Sequence, residues 1–239
     1  MQAADIMTPD VICATPETPV AELVRLMLDN GISALPIVED GQSVGLASEG
    51  DLIERAETGT EPRRSRWLEM VTSRSRLAAE YTKSHGRKAS EIMTRQVITV
   101  EDTTPIAEIV HLFGRHQIKR VPVTRDGKLV GIVSRRNVLQ ALACDPPDVS
   151  TAADDRSIRE AFYRELRHQP WADATSAINA IVSDGVVHLW GVATDQARRQ
   201  AIVVAAENVP GVRAVQDHLD LPRTVDPLDR PNWPSPARP

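Results

Sequence analysis

Val44-Gly45-Leu46-Ala47-Ser48-Glu49-Gly50-Asp51 decides the fold, because it occurs again as Val130-Gly131-Ile132-Val133-Ser134-Arg135-Arg136-Asn137. Each copy reads as a buried strand, a glycine, then a serine opening a helix with a polar residue three positions on. Such a turn can hold an anionic or hydroxylated ligand. First-turn N–H groups lack intrahelical partners and carry partial positive charge. The serine can cap the helix or bond a phosphate. Asp51 lies about one turn on, where a carboxylate can accept two ribose hydroxyls. Alone the pattern is weak, since a capped helix after a strand is common.

Working outward, the duplication extends without gaps at an offset of 86 residues. Ile6-Met7-Thr8 recurs as Ile92-Met93-Thr94, Thr18-Pro19 as Thr104-Pro105, and Ala21-Glu22 as Ala107-Glu108. Pro36 pairs with Pro122 and Asp40-Gly41 with Asp126-Gly127. Agreement at one offset over some fifty positions marks an internal repeat. Within the unit, Val11 to Ala14 is a short apolar segment, and Thr18-Pro19 predicts a helix start. Val20, Leu23, Val24, Met27 and Leu28 form one helical apolar stripe, closed by Asn30-Gly31. Two strands flank Asp40-Gly41, Pro36 marks an edge or bulge, and Asp51 to Ala56 is the final helix. The order is β-α-β-β-α.

This unit resembles a CBS domain, and the tandem resembles a bacterial CBS pair, the Bateman module. The resemblance rests on Asp5-Ile6-Met7-Thr8, Leu35-Pro36-Ile37, and Gly45 to Asp51, which matches that family's G-h-x-[ST]-x-x-D signature. It implies an adenosine-containing ligand between the repeats, with Asp51 on the ribose and Ser48 at its phosphate or ribose end. It puts the adenine between Cys13 to Thr15 and Leu35-Pro36; a plain strand end is the alternative for Cys13 and Thr15. It also implies a homodimer.

The second repeat departs at Asn137, which stands where Asp51 stood and carries no charge. It gains cations instead: Lys119 and Arg120 before Val121-Pro122, and Arg135-Arg136 after Ser134. Cations beside a helix N-terminus favour phosphate, raising ATP or ADP over S-adenosylmethionine. Thr99 corresponds to Cys13 and can bond an adenine edge. The nucleotide-binding set is therefore Cys13, Thr15, Leu35, Pro36, Ser48, Asp51, Thr99, Lys119, Arg120, Val121, Pro122, Ser134, Arg135 and Asn137.

Between the repeats, residues 57–87 form a basic insert with Arg63, Arg64, Arg66, Arg74, Arg76 and Lys83, and with Trp67 as a packing anchor. A solvated face is the ordinary reading of such a charge run; a docking surface for an acidic partner, a polyphosphate tail or nucleic acid is the alternative.

After a linker at 147–154, residues 155–222 read α-β-β-α-β, with Asp184-Gly185 as a hairpin turn. Inward residues are Ile158, Ala161, Phe162 and Leu166 on the first helix and Ala197, Ala201, Val204 and Ala205 on the second. His188 alternates with Val187 and Leu189 and reads as solvent-facing. Gly185 to Val192 and Val209 to Val215 resemble a BON domain, which implies a phospholipid, envelope or stress-protein association, or a protein partner. Residues 223–239 are Pro-rich and expected to be disordered. The divisions are 1–56 and 88–146 for the repeats, 57–87 for the insert, and 155–222 for the last domain. The fold class is α/β (α+β).

Composition narrows the function. A net charge of -5 and 3% aromatic residues argue against nucleic acid, since repulsion from phosphate is not offset and stacking platforms are few. No apolar run approaches the roughly 20 residues of a membrane helix, and Met1 to Asp5 carries no signal-peptide features. Cys13 and Cys144 lack metal-ligand spacing and fit a reducing compartment, so a cytoplasmic location is expected. The 6 histidines show no ligand pattern, and no nucleophile-base constellation or glycine-rich phosphate loop occurs. The reading is a non-enzymatic regulatory protein with no covalent cofactor, sensing AMP, ADP or ATP. The rival is a ligand-free dimerisation scaffold whose BON domain binds anionic lipid or an envelope or stress partner.

Overall fold

The computed structural model describes residues 1–53, 81–144, 153–172 and 178–222. The basic insert's arginines and Trp67, the linker core and the Pro-rich tail lie outside them.

Three Asp-Gly turns set the hairpins. Asp40-Gly41, Asp126-Gly127 and Asp184-Gly185 all hold both residues at positive φ, the conformation that lets a two-residue loop match strand twist. The first turn joins β1 (Ala34–Glu39) to β2 (Gln42–Ser48), with a register shift after Ile37. The second joins β4 (Arg120–Arg125) to β5 (Lys128–Ser134), with the equivalent shift after Val123. Each hairpin is preceded by a ten-residue helix, α2 (Val20–Asp29) or α5 (Ile106–Arg115). A signature helix follows each hairpin, α3 (Glu49–Ile53) or α6 (Arg135–Cys144). Short helices α1 (Ala3–Ile6) and α4 (Ala89–Ile92) lead into the repeats, and β3 (Val100–Glu101) runs parallel beside β4.

Local details differ from the sequence reading. Pro19, not Thr18, is the N-cap of α2, and the Thr18 hydroxyl turns back to accept from the Thr15 N–H at 2.9 Å. The α2 stripe is narrower than expected. Val20, Leu23 and Met27 are buried, whereas Val24 is 36% and Leu28 75% exposed. The signature helices begin at Glu49 and Arg135, directly after the serine.

The lead-in segments exchange places. Thr8 bridges Ile132 of the second hairpin, and Thr94 bridges Leu46 of the first. The Ala3 N–H donates to the Thr104 carbonyl at 2.8 Å, and the Ala89 N–H to the Thr18 carbonyl at 2.9 Å. Every one of these contacts maps onto its counterpart at the 86-residue offset, so the repeats are related by a pseudo-two-fold axis. One core therefore collects Ala3, Ile6 and Met7 of the first repeat with Ile109, Phe113 and Val121 of the second. The other collects Ile92 and Met93 with Leu23, Leu35 and Ile37.

The exchange explains the signature glycines. A Cβ on Gly45 would collide with the Met93 side chain, and one on Gly131 with that of Met7. The glycine is there to admit the other repeat's methionine.

The last domain has α7 (Ala153–Arg167) and α8 (Gln196–Glu207) on one face of a three-stranded sheet ordered β6 (Ile178–Ser183), β7 (Val186–Val192), β8 (Ala214–Asp220). Ile158, Phe162 and Leu166 are buried as expected. On α8 the stripe lies one residue off: Ile202, Ala205 and Ala206 are buried, while Ala197 and Val204 face solvent. Asp155 anchors the hairpin, its carboxylate accepting from the Asp184 and Gly185 N–H groups at 3.0 and 2.8 Å.

The other face of this sheet lies against the repeats. Ile181 belongs to the core that holds Ala3, Ile6 and Ala141, and Trp190 packs on it. This overturns the solvent-facing assignment of His188, which is 6% exposed on that covered face. Strand alternation correctly separates the faces, but it cannot show that a distant part of the chain covers the second one. Arg159 of α7 secures the junction, its guanidinium donating to the Ala180 carbonyl at 2.8 Å and to the Met7 carbonyl. Arg156 pairs with Asp5 at 2.7 Å and Arg167 with Asp10 at 3.0 Å.

Candidate functional site

The two signature turns occupy equivalent places in the repeats, but their side chains are committed differently. In the first, Asp51 is 8% exposed and its Oδ2 accepts from the Ser48 N–H at 2.9 Å and the Ser48 hydroxyl at 2.7 Å. Its Oδ1 pairs with Lys83 at 2.5 Å. In the second, Asn137 Oδ1 accepts from the Ser134 N–H at 2.8 Å and the Ser134 hydroxyl at 2.5 Å. Its amide donates to the Ile6 carbonyl at 3.0 Å and the Thr8 hydroxyl at 3.1 Å. Asn137 thus closes all of its hydrogen bonds within the protein, whereas Asp51 ends on a half-exposed lysine.

The first helical N–H of each signature is also used. Glu49 N–H donates to the Ser33 carbonyl and Arg135 N–H to the Lys119 carbonyl, both at 3.1 Å. Those turns are therefore held by the segment preceding each hairpin.

The structure distributes the remaining candidate residues unevenly. Leu35, Pro36, Val121 and Pro122 are buried in the hairpins, with Leu35 and Val121 fully enclosed. Thr99 and Lys119 are exposed. Arg135 donates to the Ile118 carbonyl at 3.0 Å and to the Phe113 carbonyl, near the C-terminal end of α5, at 3.5 Å. Arg120 crosses to the first repeat and donates to the Ser33 hydroxyl at 2.8 Å. Burial lowers its pKa from the usual guanidinium value, and nearby Glu49 opposes that shift.

The segment from Cys13 to Thr15 runs beside the Leu35-Pro36 strand, with the Ala14 N–H donating to the Pro36 carbonyl at 3.0 Å and the Ala14 carbonyl accepting from the Val38 N–H at 2.8 Å. Thr15 is exposed and bonded to Thr18. Cys13 lines a separate cavity of about 570 Å³ between the first lead-in and α7, with Tyr163 and Arg125, Arg156, Arg159, Arg164 and Arg167. Four of those arginines are spent on Asp102, Asp5, Met7 and Asp10, so this space is a charge-paired seam. Burial pushes the Cys13 thiol up to about 11. The fold brings Thr94 to the first signature and Thr8 to the second.

The second signature opens into a cavity of about 500 Å³ whose walls come from three places. Thr8, Asn30 and Ile32 come from the first repeat, and Ser134, Arg136, Asn137 and Gln140 from the second. Trp171, Asn179, Trp190 and Arg198 come from the C-terminal domain. The sequence reading missed Thr8 and Ile32 and every residue from the C-terminal domain. Thr8 carried a signal, since Thr94 repeats it at the same offset; the tryptophans carried none.

Comparison with known proteins agrees with this architecture. The CBS domain family model matches residues 3–57 and 89–144, and the BON domain model matches residues 154–223. An uncharacterized protein of Bacillus subtilis, YlbB, is 30% identical over 132 residues, covering 54% of this chain and 74% of that protein. The chain belongs to the CBS-domain family, as a tandem CBS pair with a C-terminal BON domain. The chloroplastic CBS protein CBSX1 of Arabidopsis thaliana is 30% identical over 142 residues, covering 55% of this chain and 59% of its own length. The crystal structure of CBSX2 of the same plant, solved in complex with AMP, superposes with a TM-score of 0.52 at 27% identity. It covers 60% of this chain and 97% of that one. Among the described residues, no helix is long and apolar enough to cross a membrane.

Proposed function

We propose that this CBS–BON chain is a non-catalytic regulatory protein that binds an adenine nucleotide between its CBS repeats and relays occupancy through the BON domain. The observation that carries this reading is the cavity at the second signature, which both repeats and the BON domain wall together. A ligand there touches all three parts. It can bias their arrangement by as much as its affinities for two arrangements differ. The AMP complex of CBSX2, similar over 97% of that chain, supports an adenine nucleotide as the ligand class. At the first signature Asp51 is the ribose acceptor, with Lys83 giving way to the hydroxyls.

The test is a thermal-shift panel of AMP, ADP, ATP, S-adenosylmethionine and NAD on the full chain. A ligand at about 100-fold its dissociation constant stabilises by roughly 2.7 kcal/mol, or about 5–10 °C for a chain of this size. A shift with an adenine nucleotide supports sensing; no shift with any member of the panel rejects it.

Apolar exposure supports a homodimer. Val24 and Val110 are 36% and 45% exposed at equivalent positions of the repeats, as are Ile53 and Leu139 at 58% and 66%. Association through these helices would cover them. Light scattering at increasing concentration tests this. A dimer that binds no nucleotide would favour the scaffold reading, in which the BON domain meets lipid or a protein partner.

A further inference from the structure

We propose that the seam between the first lead-in and α7 is a second ligand site, distinct from the nucleotide cleft, in which Arg159 and Arg164 grip a phosphate or pyrophosphate anion.

The seam is charge-paired except at these two arginines. Its cavity of about 570 Å³ is walled by Met7 and Cys13 of the first repeat, Arg125 of the second, and Arg159, Tyr163 and Arg164 of α7. Arg125 is matched by Asp102 at 2.6 Å, Arg156 by Asp5 at 2.7 Å, and Arg167 by Asp10 at 3.0 Å. Arg159 is 6% exposed and donates only to carbonyls, those of Ala180 and Met7. No carboxylate among the described residues forms an ion pair with it. Carbonyls satisfy hydrogen bonds but leave the charge unbalanced, and a buried charge without a counter-ion is destabilising. A guanidinium carries five N–H donors, so this one has donors to spare. Its Nη1 bonds no described residue and is not one of the polar atoms sealed from solvent.

The guanidinium is also fixed in place. The Ala180 carbonyl holds it at 2.8 Å, and it lies over the Tyr163 ring, 4.9 Å from the centroid. A fixed planar fork suits an oxyanion, whose oxygens it can take two at a time. Arg164 stands five residues further along α7, exposed on the same cavity wall, and pairs with no carboxylate among the described residues. Glu160 also lines the cavity, so the five arginines meet four carboxylates and one positive charge is left over. The volume lies within the range of pockets that hold small ligands. An anion there sits between α7 and the first lead-in, and supplies a counter-charge where Arg159 joins the BON domain to Met7.

Isothermal titration of the full chain with inorganic phosphate and with pyrophosphate, at fixed ionic strength, tests this. Wild type should bind at least one of them saturably. Arg164→Gln should weaken that binding about tenfold, the value of one charge-assisted hydrogen bond. Arg136→Gln, in the second cleft, should leave it unchanged, and excess AMP should not displace the anion. Hydrogen exchange at the Ile6 to Thr8 amides should slow when the anion is bound. Circular dichroism melts check that both variants fold. No saturable binding by wild type, unchanged affinity in folded Arg164→Gln, a loss in Arg136→Gln, or displacement by AMP overturns the proposal. The affinity for AMP, titrated by itself, tests the nucleotide reading separately.

Discussion

Asn137 donates its amide to the Ile6 carbonyl at 3.0 Å, across 131 residues, so the second signature grips the lead-in of the first repeat. The bond needs a donor, which a carboxylate cannot supply. We predict that Asn137→Asp destabilises the chain by about 1–3 kcal/mol, because a carboxylate would face a buried carbonyl. Asp51→Asn should cost less than about 1 kcal/mol, since it keeps the Ser48 bonds and loses only the pair with half-exposed Lys83. Urea unfolding of both variants checks the asymmetry; equal losses would contradict it.

The glycine–methionine contacts predict coupling. Gly131→Ala should destabilise by about 1–3 kcal/mol through overpacking against Met7. In a Met7→Ala background the same substitution should cost much less, and Gly45→Ala should behave alike with Met93. Additive losses in the double-mutant cycle would show that the glycine serves another need.

Arg159 holds two carbonyls at the domain junction, those of Ala180 and Met7, and is 6% exposed. Arg159→Met should leave both unpaired and cost about 2–4 kcal/mol. Hydrogen exchange should rise first at the Ile6 to Thr8 and β6 amides. Exchange spread evenly over the chain would argue against a local clamp.

Gln117 occupies the left-handed position after α5 that Gly31 fills after α2, with φ of 53° against 60°. Gln117→Gly should stabilise by about 1 kcal/mol, because glycine adopts this conformation without a Cβ clash. A thermal melt would show a small upward shift; a loss would mean that its side-chain bond to the Gly114 carbonyl outweighs the strain.

Cys13 stays a thiol in the fold to about 11, raised by burial from 9.0. Between those values the unfolded chain has lost this proton and the folded chain retains it. Stability therefore falls as pH rises through that window. Alkylation mapped by mass spectrometry should find Cys13 slow at pH 8 in the folded chain and fast in denaturant. Rapid labelling of folded Cys13 would place it outside the seam.

Much of this protein was legible in its sequence. The ungapped repeat, the Asp-Gly turns and the helical stripes are local signals, and they predicted two β-α-β-β-α units and an αββαβ domain. Turn chemistry and hydrophobic periodicity act over a few residues, so a linear reading can recover them. Only the tertiary structure decided what meets the signatures. It sent Thr94 to the first and Thr8 to the second, set Cys13 in the seam against α7, and put Arg135 on the Phe113 and Ile118 carbonyls. It also buried His188 and brought Trp190 and Asn179 to the second cleft, by laying one sheet face on the CBS pair. Those outcomes depend on which distant surface best covers an apolar face, a choice settled by packing between segments and not by residue spacing within one.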